Sequence, residues 1–258
     1  MITMGIDVGS SATKAVLFNG TTGNGVEIPT GWNPKEAGEK AYRELLSEMG
    51  LSSQCVGMVI GTGYGRISLP FIDRKVTEIT CHARGAVHLF PGTKLVIDIG
   101  GQDSKVIAID SDGAVGDFIM NDKCAAGTGR FLQVMTGVLD VTIDELGALA
   151  SGSEPVQVSS MCTVFAESEI IGLLARGVEK GAIAAGIVDS IARKVQSLVQ
   201  RLYVGGEVTF SGGIARNPDI CRLIAAKLGV ELNVPEKPQL VGALGAALLG
   251  FDERTRSC

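Results

Sequence analysis

The sequence predicts an α/β fold in which two related halves enclose a cleft. Apolar runs typical of strands alternate with segments whose apolar residues recur at helical spacing, as in layered α/β proteins. An internal repeat relates a motif in the first part of the chain to a motif in the second. Glycine, at 35 of 258 residues, is used about twice as often as usual. Many of these glycines follow apolar runs, where tight turns bring backbone close to a ligand.

The repeat carries most of this prediction. Residues 6–16, IDVGSSATKAV, align without gaps on residues 97–107, IDIGGQDSKVI, and share Ile, Asp, Gly and Lys at four fixed offsets. Each copy is typical of a strand, a glycine turn and a second strand, with a carboxylate at the tip of the hairpin. Four identities at fixed offsets favour duplication over chance, so we expect two like subdomains with a cleft between them.

The other elements follow in chain order. Asn33 with Pro34 predicts the start of a helix over 34–49. The remaining predicted elements are a strand entering a glycine loop over 55–63, a strand over 94–99, helices over 127–139, 163–176 and 182–203, a strand over 207–211, a helix from Asn217 to Gly229 and a last helix over 241–250. We expect subdomain I to comprise 1–93 with the C-terminal helix 242–252, and subdomain II to comprise 94–241.

Composition disfavours several classes of protein. The net charge of −5 makes nucleic acid an unexpected partner. The longest apolar run, 240–251, is shorter than the roughly 20 residues that a membrane span needs, so no membrane crossing is expected. The N-terminus has no signal-peptide pattern, which predicts a cytoplasmic protein. His82 and His88 stand in no recognisable triad, so acyl-transfer catalysis has no support.

Two glycine turns at the tips of the repeated hairpins could bind phosphate. Backbone N–H groups of the turns at 9–11 and 100–102 could form a nest for anions. Asp7 and Asp98, at the ends of the preceding strands, could hold a hydrated Mg²⁺ that bridges phosphates. The alternative is that both Asp residues merely cap tight turns, but the repetition of turn and carboxylate favours ATP.

Further residues fit the same chemistry. Lys14 could neutralise phosphate charge, and Gln102 could orient an attacking water. A third glycine turn, Gly212 and Gly213 with Asn217, opens a helix and could hold a nucleoside.

Cys124 and Cys162 are candidate metal ligands. Each is polar-flanked on one side and precedes a helical pattern, whose N-terminus favours a thiolate. Two thiolates cannot complete the four-thiolate set of an iron–sulfur cluster, but two copies related by a twofold axis can. The residues alone leave open that both are small buried hydrophobes. Cys55 and Cys221 are expected in the core, and Cys81–His82 is expected to be structural.

Seven segments then carry a resemblance: GIDVGSSATK, GTGYGR, VIDIGGQDSKV, MNDKCAAGTGRFL, CTVFAESE, SGGIARN and GALGAAL. In this order they cover essentially the whole chain, which resembles the activators of 2-hydroxyacyl-CoA dehydratases, grouped with the ATPase subunits of benzoyl-CoA reductase. The resemblance implies the fold of the acetate and sugar kinase/Hsp70/actin superfamily. It also implies a homodimer that shares one 4Fe-4S cluster, with Cys124 and Cys162 of each chain as ligands. Such a dimer takes an electron from ferredoxin or flavodoxin and, with ATP hydrolysis, passes it to an iron–sulfur dehydratase or reductase.

The resemblance also assigns site residues. The phosphate motifs comprise Asp7, Gly9, Ser10, Ser11, Ala12, Thr13 and Lys14, and Asp98, Gly100, Gly101, Gln102 and Asp103. The adenosine motif comprises Gly212, Gly213 and Asn217, with Gln239 and Gly242 near the base. Asp7, Asp98 and Gln102 are the expected catalytic residues. The alternatives are a small-molecule kinase of this superfamily, and a non-enzymatic actin-like regulator with a structural metal.

Overall fold

The two halves of the chain form two sheets of the same topology. The structure, a computed structural model, describes residues 1–158 and 162–256. The first sheet has the order β3-β2-β1-β4-β5, from β1 (Ile2–Val8), β2 (Ala12–Phe18), β3 (Gly23–Pro29), β4 (Val56–Thr62) and β5 (Arg74–Lys75). The second has the order β10-β9-β6-β7-β8, from β6 (Thr93–Ile99), β7 (Ser104–Ile109), β8 (Val115–Asn121), β9 (Glu207–Ser211) and β10 (Leu232–Asn233). In each sheet the first three strands of the chain are antiparallel neighbours, and the last two add in parallel.

The hairpin register explains the repeat. In the β1–β2 hairpin Asp7 lies opposite Lys14, and in the β6–β7 hairpin Asp98 lies opposite Lys105. The Asp and Lys offsets that recur in the sequence are therefore cross-strand partners, which can form an ion pair. The turns match as well, because the Gly9 N–H donates to the Ala12 carbonyl and the Gly100 N–H to the Asp103 carbonyl.

Helices cover the sheets. In the described part of the chain they are α1 (Pro34–Glu48), α2 (Glu78–Leu89), α3 (Gly129–Leu139), α4 (Ile143–Ala150), α5 (Thr163–Ala175), α6 (Lys180–Val199), α7 (Pro218–Leu228) and α8 (Val241–Arg256). α1 packs on the first sheet, where Leu45 joins the core formed by Met4, Ile6 and Val8. α3 to α7 share one apolar core with the second sheet.

α2 and α8 lie between the two sheets. α8 packs on the first sheet, where the Thr3 hydroxyl donates to the Ala247 carbonyl at 2.8 Å. α2 packs on the second sheet through Ala83 and Ala86, against Val96 and neighbouring residues. The two helices meet at Gly245, where a Cβ would overlap a backbone carbonyl of α2. This contact joins the two halves below the cleft.

The structure confirms the predicted α/β fold and corrects some details. The helix predicted over 182–203 spans Lys180–Val199, and the last helix continues to Arg256. Cys55 is exposed rather than in the core, because it ends a short 3₁₀ turn that precedes β4. The subdomain boundaries stay a prediction. No helix among the described residues is long and apolar enough to cross a membrane, and Cys258 lies outside those residues.

Candidate functional site

A cavity of about 490 Å³ lies where the hairpin tips of the two sheets face each other. This volume is typical of a small-molecule site. The predicted residues that line it are Asp7, Gly9, Ser10, Ser11, Ala12, Lys14, Asp98, Gly100, Gly101, Gln102, Asp103, Gly212, Gly213 and Gln239. The structure therefore brings all three predicted glycine turns to one cavity.

Three residues predicted to bind nucleotide do not line the cavity. Thr13 is fully buried, and its hydroxyl lies 2.9 Å from that of Thr30. Asn217 caps α7, with its side chain accepting the Ile220 N–H and donating to the backbone of α4, so its polar atoms are already engaged. Gly242 packs against the His82 ring, where a Cβ would lie 2.7 Å from Nε2. These three contacts are structural, and none of the three residues is part of the cavity lining.

The two phosphate turns touch each other. A Cβ at Gly101 would overlap the Ser11 hydroxyl and lie 2.9 Å from the Ser11 Cβ. Glycine at position 101 is therefore needed for the turns to approach this closely. A ligand seated on one turn lies against the other as well.

A buried charge network supports the second phosphate turn. The Lys105 ammonium is almost fully buried and lies 2.9 Å from Asp98 Oδ2 and 2.7 Å from Asp103 Oδ2. The other Asp98 oxygen accepts from the Ser211 hydroxyl at 3.0 Å and lies 3.4 Å from His82 Nδ1. Burial opposes ionisation of Asp98, but its interactions with His82, Lys105 and Ser211 outweigh that cost and hold its pKa well below the usual range. Asp98 is thus a fixed negative charge.

Two further groups at the cavity have altered proton affinity. Burial raises the pKa of Glu78 to about 7, and the nearby Lys105 ammonium offsets only part of this effect. Burial also lowers the pKa of His82, which favours the neutral imidazole. A carboxylic acid with such a pKa can exchange a proton near neutral pH, whereas the His82 imidazole is held neutral.

Gln239 has an unused acceptor in the cavity. It lies in the 3₁₀ turn Pro238–Leu240, which follows β10. The Pro238 carbonyl in this turn accepts a hydrogen bond from the Gly212 N–H. Gln239 Oε1 is buried and has no hydrogen-bond partner within the described residues. Because a buried acceptor without a donor costs free energy, this atom indicates a ligand that brings an N–H group.

The Cys124 loop is joined to the second phosphate turn. Cys124 is exposed in the segment between β8 and α3, and Asn121 Nδ2 donates to its carbonyl at 2.9 Å. At the end of the segment the Gly129 N–H donates to the Gly100 carbonyl at 2.9 Å, and the Arg130 N–H donates to the Gly101 carbonyl at 2.7 Å. The first residues of α3 are thus bonded directly to the turn that lines the cavity.

Cys162 stands at the start of a neighbouring helix. It is the N-cap residue of α5, it is exposed, and α5 packs on α3. Cys221 is buried instead, as predicted, and Cys81 is buried as well. Among residues 1–158 and 162–256, no group of three or more His, Cys, Asp and Glu side chains is arranged to hold a metal ion. The candidate thiols of Cys124 and Cys162 are thus both exposed, and each lies at or before a helix N-terminus.

Several cavity residues were missed by sequence reasoning: Glu27, Tyr64, Glu78, His82, Lys105, Asp122, Lys123, Gln133 and Ile143. Lys105 had a signal, because it occupies the same offset in the repeat as Lys14. Glu78 and His82 are one turn apart on α2, whose capping residue Thr77 could have indicated a helix. The interpretation of Cys81–His82 as structural stays a prediction, and His82 also lines the cavity.

The duplicated sheets and the cavity between their hairpin tips define a protein of the actin-like ATPase fold. Within this class, the model of the BadF/BadG/BcrA/BcrD ATPase family matches residues 4–250, and the chain belongs to that family. The chain is 44% identical over 259 residues to the 2-hydroxyisocaproyl-CoA dehydratase activator of Clostridioides difficile, covering 100% of this chain and 97% of that protein.

Solved structures agree. The activator of the 2-hydroxyisocaproyl-CoA dehydratase from Clostridium difficile with bound ADPNP is 43% identical, with a TM-score of 0.92 over 100% of this chain and 97% of that one. Component A of the (R)-2-hydroxyglutaryl-CoA dehydratase of Acidaminococcus fermentans is 39% identical, with a TM-score of 0.94 over 99% of each chain. The expected family, fold class and ATPase activity are confirmed.

Proposed function

We propose that this chain uses ATP to activate a 2-hydroxyacyl-CoA dehydratase by delivering one low-potential electron to it. A reduced ferredoxin or flavodoxin would lose one electron, and an iron–sulfur centre of the dehydratase would gain it. Relatives that are 40–44% identical over nearly the whole chain are named as activators of 2-hydroxyacyl-CoA dehydratases, which supports this class of partner. The family assignment favours an ATPase over the small-molecule kinase alternative.

One observation carries the coupling of nucleotide to electron transfer. The carbonyls of Gly100 and Gly101 accept the N–H groups of Gly129 and Arg130, the first residues of α3. A phosphate that shifts the second turn would shift α3 and the preceding Cys124 loop with it. The ATP-bound and ADP-bound states can then differ at Cys124 to the extent that the two nucleotides bind the two conformations differently.

The exposed thiols of Cys124 and Cys162 suit a metal centre better than a core role. Both lie at or before the N-termini of two helices that pack on each other, and thiolates are the ligands that iron–sulfur clusters use. Two thiolates per chain would hold one 4Fe-4S cluster in a homodimer, with two ligands from each copy. Such a cluster supplies one-electron transfer when bound.

The cavity fits a magnesium nucleotide. The carboxylates of Asp7, Asp98 and Asp103 line it beside the phosphate turns. Both Asp98 oxygens already have protein partners, so Asp98 suits a contact through a water of hydrated Mg²⁺, which usually keeps several waters. Gln102 lines the same cavity and remains our candidate for orienting the attacking water. The predicted cytoplasmic location fits this electron donor class.

The proposal is tested by anaerobic reconstitution. The purified chain is mixed with a 2-hydroxyacyl-CoA dehydratase, a reduced ferredoxin and MgATP, and dehydration is measured with and without ATP. We expect activity only with ATP, loss of activity and of iron–sulfur absorption in Cys124→Ser, and no change in Cys55→Ser. Cys55 is the matched control because it is also exposed but lies away from the cavity lining. Full iron–sulfur absorption in Cys124→Ser would show that the ligand assignment is wrong.

A further inference from the structure

Lys123 lies at the same edge of the second sheet as the two turns that face the cavity. The register pairs Asp98 with Ser211 and Ser104 with Asn121, so β6, β8 and β9 end at this edge. Because β7 and β6 separate β8 from β9, the second phosphate turn lies between the nucleoside turn after β9 and Lys123 after β8. The two outer positions are about three strand spacings apart, roughly 14 Å.

This order gives a direction to the bound nucleotide. A nucleoside at the turn that follows β9, with its first phosphates at the Gly100–Gly101 turn, directs its last phosphate toward the end of β8. Lys123 and Asp122 line the cavity at that end. The ribose and three phosphates can span such a distance, whereas a diphosphate ends one phosphate earlier.

Lys123 is also the cavity lysine with an accessible ammonium group. Three lysines line the cavity in the described part of the chain. Lys105 is enclosed by carboxylates with 2% of its side chain exposed, and Lys14 is 16% exposed beside Asp7. Lys123 is 89% exposed, and its ammonium lies 2.9 Å from the carboxylate of its neighbour Asp122. An exposed ion pair of this kind is weak and exchanges partners at little cost.

We infer that Lys123 binds the terminal phosphate of the triphosphate and leaves Asp122 when it does so. The terminal phosphate group carries about −1.5 to −2 charge at pH 7, more than the single charge of one carboxylate, and it lies in a partly enclosed cavity, so it competes well for the ammonium. ADP offers no group at this position. Lys123 is therefore a residue that distinguishes ATP from ADP.

The position of Lys123 in the chain links this contact to Cys124, the next residue. The Asn121 side chain holds the carbonyls of Cys124 and Ala126, at 2.9 and 3.1 Å, so residues 121–126 are internally tied. Movement of the Lys123 side chain toward phosphate would therefore act on the Cys124 loop as a unit. This second contact adds to the hydrogen bonds that join the phosphate turn to α3. The link to electron transfer rests on the proposed function, while the phosphate contact rests only on nucleotide binding.

Calorimetric titration tests the phosphate contact. Mg²⁺ with a non-hydrolysable ATP analogue, and MgADP, are titrated into wild type, Lys123→Ala, Lys123→Arg and Lys94→Ala. Lys94 is a matched control because it is an exposed lysine at the start of β6, away from the cavity lining. We expect Lys123→Ala to weaken binding of the triphosphate analogue about tenfold or more and to change the dissociation constant of ADP less than twofold. Lys123→Arg restores most of the difference, and Lys94→Ala matches wild type.

The inference is overturned if Lys123→Ala weakens both nucleotides equally or neither of them. A spectroscopic redox titration under anaerobic conditions then tests the link to Cys124. We expect the triphosphate analogue to shift the midpoint potential of the wild-type cluster and to shift it less in Lys123→Ala at equal iron content. An equal shift in both proteins would refute the link. Wild-type protein without an iron–sulfur cluster would refute the proposed function, and the calorimetry would still decide the phosphate contact.

Discussion

Replacement of Gly101 by alanine tests whether the two phosphate turns must touch to bind a triphosphate. The added Cβ would overlap the Ser11 hydroxyl and lie 2.9 Å from the Ser11 Cβ. An ordinary contact between carbons is about 3.5–4.0 Å, so the turns would have to separate by about 1 Å. Overpacking of this kind costs about 1–3 kcal/mol.

The cost appears in binding rather than in folding. Ligand-free protein can relieve the overlap by opening the cleft. Protein that binds a triphosphate cannot do so, because the ligand contacts both turns. We therefore expect Gly101→Ala to weaken binding of the ATP analogue by about 5- to 150-fold, as measured by calorimetric titration. The melting temperature of the ligand-free protein should fall by only a few degrees. Gly137→Ala is the matched control, since a Cβ at that position in α3 would meet no atom within 4 Å.

A double-mutant cycle separates the contact from other effects of the substitution. Ser11→Gly removes the atoms that obstruct the new methyl group, although it also weakens binding because Ser11 lines the cavity. The loss of binding free energy in Ser11→Gly/Gly101→Ala should be much smaller than the sum of the losses in the two single variants. A Gly101→Ala protein that binds the analogue with wild-type affinity, or two losses that are fully additive, would refute the reasoning.

Three more predictions concern the cavity wall. Lys105→Met removes the ammonium partner of the buried Asp98 carboxylate and should lower the free energy of unfolding by about 3–5 kcal/mol in urea denaturation. Lys40→Ala, in an exposed pair, should change it by less than about 0.5 kcal/mol, and a Lys105→Met loss below about 1 kcal/mol would contradict this. Because the pKa of Glu78 is raised from 4.5 to about 7, its contribution to stability is full below pH 4.5 and is lost as the pH rises to 7, a change of about 3 kcal/mol. Glu78→Gln should therefore flatten the dependence of the free energy of unfolding on pH between these values in ligand-free protein. An unchanged slope would count against the raised pKa. Gln239→Leu should reduce the preference for ATP over GTP by about tenfold, because Oε1 suits the adenine amino group; an unchanged ratio of the two dissociation constants would remove Gln239 from base recognition.

The sequence predicts the fold well where local signals and tertiary structure agree. Asn33 and Pro34 start α1 as predicted because the Asn33 side chain accepts the Glu36 N–H and proline suits the first helical position. The repeat predicts both hairpins because its offsets are cross-strand pairs. β3 and α4 were not predicted. The half-exposed strand shows little alternation, whereas α4 does carry a local signal, the capping box of Thr142 and Glu145, which was overlooked.

The site was predicted less completely because its wall comes from distant parts of the chain. The three glycine turns carry local signals, and all three reach the cavity. His82 meets Asp98 and Ser211 only because α2 packs on the second sheet, a contact that no local pattern encodes. Asn217 shows the opposite case, because its residue type suits a nucleoside contact and a helix cap equally, and the structure uses it as the cap.

Native mass spectrometry of the anaerobically purified protein tests the central claim most directly. Cys124 and Cys162 of two copies are proposed to hold one cluster beside the nucleotide cleft. The predicted mass is that of two chains with one 4Fe-4S cluster, and Cys124→Ser should lose the mass of the cluster. A single chain that carries a complete cluster, a dimer with two clusters, or protein that retains no iron and sulfide would contradict the account.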